Sequence, residues 1–108
     1  MANPYNYSWE KLFQATNSLC GPRSQSERLK SAVKVLNDVR KKAYIPEEIR
    51  EDFFEFMERM KVVKHENPRK GAIETTIDTF SDEEVKIAAE QIVHFYNVVC
   101  RYYYSSSD

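Results

Sequence analysis

Apolar residues recur along this chain every three or four positions, in blocks parted by short polar stretches, which is the period of amphipathic helices. Trp9, Leu12, Phe13 and Thr16, extended by Leu19 or Cys20, predict a first helix from Ser8, whose hydroxyl suits an N-cap. "CGPRS" stops it with Gly21 and Pro22. Ser24 and Glu27 form a capping box for a second helix with the face Leu29, Ala32, Val33, Leu36, Val39 and Ala43. Pro46, Glu47 and Glu48 suit the start of a third, with the face Ile49, Phe53, Phe56, Met57 and Met60. "VVKHENPRKG" reads as the longest loop. "AIETTIDTF" fits two periods: Ile73, Ile77 and Phe80 for a helix, or Ile73, Thr75, Ile77 and Thr79 for a strand. A short helix is preferred, because no second convincing strand exists to satisfy a lone one's backbone groups. Ser81 and Glu84 box the last helix, from Asp82 to about Tyr103. The expected fold is all-α: a compact bundle of four main helices plus one short helix before the last, in a single domain over 1–108, ordered from 8 to 103 with a frayed tail at 104–108.

Two helices carry more apolar residues than one buried stripe can hold. In "FFEFM", Phe54 points roughly 120° away from the centre of the stripe that Ile49, Phe53, Phe56 and Met60 define. The main stripe of the last helix is Val85, Ala88, Ala89, Ile92, Tyr96, Val99 and Tyr103; Ile87 and Val98 fall far from it, with Phe95 and Tyr102 between. A helix apolar around half its circumference is either central in its bundle or covered by another molecule. The second alternative is preferred here. It makes Phe54, Ile87, Phe95, Val98 and Tyr102 the expected interface residues, and a second copy of the chain or another protein the expected partner. The tyrosines of "RYYYSSSD" suit such a surface, since each joins a large ring to a hydroxyl that tolerates water.

Composition narrows the remaining choices. With 42% hydrophobic and 31% charged residues in 108, the chain is rich enough in both to fold as one domain. No apolar run reaches the ~20 residues of a membrane span and no secretory signal is visible, so a cytoplasmic protein is expected. Cys20 and Cys100 are too few for a disulfide framework; they pair only if the chain ends meet, and two reduced, partly buried thiols are preferred. His65 sits in the polar loop. His94 sits four residues after Glu90 on the last helix, as a solvated pair. No metal-ligand set, nucleophile motif or glycine-rich phosphate loop occurs, so neither enzyme activity nor a cofactor or metal is expected, and no small-molecule substrate suggests itself.

The net charge is −1, yet the sign alternates along the chain. Residues 23–44 carry seven basic and two acidic residues, 46–60 two and six, 61–70 four and one, and 71–90 one and six. Neighbouring helices of opposite sign attract, which is the preferred account of Lys30, Lys34 and Lys41 on the outer side of helix two. A phosphate-binding stripe of those lysines, in a small nucleic-acid-associated regulator, is the alternative.

The blocks "SWEKLFQATNSL", "SQSERLKSAVKVL", "IPEEIREDFFEFM", "GAIETTIDTFSDEE" and "AEQIVHFYNVV" together resemble a group of short uncharacterised bacterial all-helical proteins. These share a W/Y-x-K-L/F start, an E/Q-R-L-x-x-A helix, a P-E-E-L/I-R helix start and an S-D-E-E cap. The resemblance runs from Ser8 to about Arg101. It implies a bacterial or phage-borne helical domain and brings no activity with it. Its recurring arginines, Arg28 and Arg50, are expected to be structural, with Glu27 and Glu47 in reach. The expected function is that of a non-catalytic protein–protein interaction module in a regulatory or accessory role.

Overall fold

In the computed structural model, which describes residues 3–40, 43–64, 66–67 and 69–105, the helical periods are realised as five helices. They are α1 (Asn6–Ser18), α2 (Gln25–Leu36), α3 (Glu47–Arg59), α4 (Ala72–Asp78) and α5 (Asp82–Ser105), and no strand occurs among the described residues. The short segment resolves to a helix because Ile73, Thr76 and Ile77, at i, i+3 and i+4, are the residues that bury. Thr75, which a strand would place with Ile73, instead bonds back to Gly71 O at 3.0 Å.

Both capping boxes lie where the sequence places them. Glu27 N donates to Ser24 Oγ (3.2 Å), and the Ser81 box closes in both directions, Glu84 N to Ser81 Oγ at 3.1 Å and Ser81 N to Glu84 Oε1 at 2.9 Å. Ser8 is different from expectation. It lies inside α1, is 2% exposed, and donates to Tyr44 O (2.9 Å) and Tyr5 O (3.2 Å), tying the loop before α3 onto α1. Asn3 starts the helix instead: its Oδ1 accepts from Tyr5 N at 2.9 Å, and its Nδ2 reaches across to Tyr103 O at 2.8 Å. Helix two ends at Leu36, earlier than the apolar pattern suggests. Val39 is still buried, but from an irregular segment.

Arg28 and Arg50 are structural, though not through carboxylates alone. Arg28 Nη1 donates to Gly21 O at 3.0 Å and Arg50 Nη1 to Ala43 O at 2.9 Å, so each guanidinium reaches seven residues back and holds the carbonyl of the loop that precedes its own helix.

The core gathers Leu12, Leu29, Leu36, Phe53, Phe56, Ile77, Ile92, Phe95 and Val99, all at most 1% exposed. α5 runs through its centre, packing against α1 and α2 on one side and α3 on another, while α4 lies on α2. That position explains the apolar excess of α5. Phe95 meets Phe53 and Phe56 of α3 edge-on, at 5.5 and 5.6 Å between ring centres, and Val98, three residues on, shares that side.

A candidate interaction face rich in tyrosine

All seven tyrosines, with Trp9 and Phe13, belong to the start of α1, the C-terminal half of α5 or the loop that enters α3. Antiparallel packing of α1 on α5 brings them together, since Trp9 meets Tyr103 while Phe13 meets the earlier Tyr96. Trp9 is stacked between Phe13 (5.3 Å, 6° between planes) and Tyr103 (4.6 Å, 11°), with Tyr104 edge-on. Its indole N–H has no hydrogen-bond partner among the described residues, so stacking is what fixes the ring. Tyr5 joins this layer to a second cluster, edge-on to Tyr44 (5.1 Å) and Tyr102 (5.6 Å).

The polar tips of these rings are used selectively. Tyr102 Oη donates to Glu48 Oε1 at 2.6 Å while Arg101 Nη2 approaches Glu48 Oε2 at 3.5 Å, so the end of α5 grips the first turn of α3 twice. The bond to Glu48 is the main reason that the Tyr102 hydroxyl titrates above its ordinary value. Burial, aided by the neighbouring Cys100, pushes Tyr96 up to about 12. Tyr7 Oη donates to Asp38 O (3.1 Å). The outer rings remain accessible: Tyr44 is 60% exposed and Tyr104 61%, with Tyr7, Phe13 and Val93 also exposed.

Of the five interface residues expected from the sequence, the fold leaves three accessible. Phe54 is half-buried whereas Phe53 and Phe56 are sealed in, Ile87 is exposed, and Tyr102 is half-buried beside Tyr5. Phe95 and Val98 are each 1% exposed, so their assignment to an intermolecular surface is corrected: they are the α3-facing part of the core. Phe13, Val93, Tyr7 and Tyr44 were not anticipated as surface-forming. Val93 is only marginally off the inner stripe of α5, and Phe13 was counted with the core because it shares the helical period of Leu12 and Thr16.

The lysines of α2 are engaged from within. Lys30 Nζ meets Asp78 Oδ1 at 2.5 Å, Lys34 Nζ meets Glu74 Oε1 at 2.9 Å, and Lys70 adds a second contact to Asp78 at 2.9 Å. Opposite signs on α2 and α4 thus attract, as their alternation suggests; Lys41, like His65, lies outside the described residues. Hydrogen bonds from Lys30 and then Lys70 hold the Asp78 carboxyl down, from 3.8 to about 2. A group depressed by folding stabilises the fold above its ordinary value and stops doing so as the pH falls through the folded value. The stability difference between the native chain and Asp78→Asn is therefore expected to be small and constant near neutrality, to shrink below pH 3.8, and to vanish by about pH 2. Thermal melts of both proteins across that range check it.

Neither Cys20, which is exposed rather than partly buried, nor Cys100 is in a disulfide. His94 is exposed on α5. No cluster of three or more potential metal ligands occurs among the described residues, and no helix among them is long and apolar enough to cross a membrane. No family model matches the chain, and no curated protein or solved structure is similar to it.

Proposed function

We propose that this chain is a non-catalytic protein-interaction module with a regulatory or accessory role, and that its tyrosine-rich face is the surface it uses. The observation that carries this reading is the row formed by Phe13, Trp9, Tyr96, Tyr103 and Tyr104, rigid through mutual stacking yet open to solvent at Phe13 and Tyr104, with Val93 exposed on α5 beside it. Aromatic side chains held in place bind at low entropic cost and dominate the energetics of protein contacts. A second copy is the partner favoured here, because one two-fold axis covers the same patch on both molecules. The lysines of α2 support a structural role, since Lys30 and Lys34 already have carboxylate partners.

Sedimentation of the full chain over micromolar concentrations tests the proposal. A reversible dimer is expected for the native protein. The double variant Phe13→Ser, Val93→Ser should remain helical while its dimer dissociates at concentrations roughly thirtyfold higher, the equivalent of losing about 2 kcal/mol of contact energy. A native chain that stays monomeric at high micromolar concentration sinks the self-association, and an unchanged dimer in the double variant sinks the assignment of this face.

A further inference from the structure

Two hollows meet beside Asn37. One, of about 430 Å³, lies among Lys34, Asn37, Lys61, Arg69 and the start of α4. The other, of about 260 Å³, runs over Val39, Phe54 and Met57, edged by Arg40 and Glu58. Lys61 Nζ donates to Asn37 Oδ1 at 3.1 Å, and both residues line both hollows, so together they form one trough. Its two ends differ in chemistry.

At the first end, Lys34, Lys61 and Arg69 face one carboxylate, Glu74, which Lys34 already occupies. Among the described residues neither Lys61 nor Arg69 enters an ion pair. The Glu74 carboxyl titrates below its ordinary value, chiefly through its hydrogen bond to Lys34 and then through that lysine's charge, with Lys30 and Lys70 adding to the effect. The local field is therefore positive although the molecule as a whole is not. At the second end, Val39 and Met57 are buried as a floor and Phe54 stands as a wall. Phe54 is fixed edge-on to Phe53 (5.2 Å, 81°), with the Arg50 guanidinium 5.5 Å from its ring centre. Its distance from the core stripe of α3 is what puts it there.

We propose that this trough binds a small phosphorylated molecule with an apolar body, of the chemical class of a nucleoside diphosphate. The phosphates lie between Lys34, Lys61 and Arg69, and the body rests on Phe54 and Met57. Apolar lining with a few convergent polar groups is the usual make-up of a small-molecule site, and the trough's size falls within the roughly 300–1,000 Å³ such sites occupy. A nucleic-acid strand fits less well, because the exposed carboxylates of α3, at Glu51, Asp52 and Glu55, repel a longer phosphate chain.

Calorimetric titration of the full chain at low salt tests this with ADP, inorganic pyrophosphate, adenosine and a short single-stranded DNA as probes. ADP is expected to bind more tightly than pyrophosphate or adenosine, since only ADP fills both ends. Lys61→Gln and Arg69→Gln should each weaken ADP about tenfold, the scale of one lost charge-assisted hydrogen bond, without changing the melting temperature. Absence of ADP binding at millimolar concentration overturns the proposal, and so does an ADP affinity that Arg69→Gln leaves unchanged. Pyrophosphate binding as tightly as ADP removes the role of Phe54. DNA binding more tightly than ADP replaces the small molecule with a polymer. None of these residues belongs to the tyrosine-rich face, so failure here leaves the interaction reading standing.

Discussion

Phe95→Ala is expected to cost about 3–5 kcal/mol, enough to leave this chain largely unfolded or barely folded at room temperature. Phe95 is 1% exposed, and its ring sits between two others of α3, Phe53 and Phe56, both edge-on. Truncation removes the apolar area that Phe95 buries and also leaves a cavity that rigid neighbours close only in part. Phe95→Leu, which refills most of that space, should lose much less. Urea denaturation followed by circular dichroism measures both. If the alanine variant loses under 1 kcal/mol, α5 is not the centre of the bundle.

Thr76→Val is expected to be the next most damaging change, at about 1–3 kcal/mol. Thr76 is 1% exposed on α4, and its hydroxyl serves both backbone groups of Val63: Val63 N donates to Oγ1 at 2.9 Å, and Oγ1 donates to Val63 O at 3.4 Å. Valine keeps the shape but leaves both groups of Val63 without their partner. Thr76→Ser keeps the hydroxyl and should recover most of the loss. Denaturation curves of the two variants separate the hydrogen bonds from the packing, because an equal loss in both would assign the effect to the missing methyl group.

The parts of this fold that could be read from the sequence are those fixed by local chemistry. Ser24 and Ser81 begin helices because a hydroxyl followed by a glutamate three residues on satisfies exposed N–H groups wherever it occurs. The departure of Phe54 from the stripe of α3 follows from helical geometry alone. What could not be read depends on which element lies alongside. Val98 and Phe95 look surplus on a helix with one neighbour, and are core on a helix with neighbours on several sides. Ser8 looks like a cap because the carbonyl it serves, that of Tyr44, is thirty-six residues away. The candidate face was legible in its composition, since the tyrosines at the end of the chain stand out. Its extent was not, because Tyr5, Tyr44 and Trp9 join it only when α1 packs antiparallel to α5.

The central place of α5 also bears on how the molecule comes apart. Helices α1, α2 and α3 all lean on this one element, and Asn3 is bonded to the carbonyl of Tyr103, a hundred residues away. Contacts this distant in sequence close late and open early in a chain's search for its fold. Once α5 detaches, Phe53, Phe56 and Leu12 lose their shared partner together, so no pair of helices keeps a dry core of its own. Loosening near the chain termini is therefore not absorbed locally as fraying; it propagates along α5 and makes unfolding a single cooperative event.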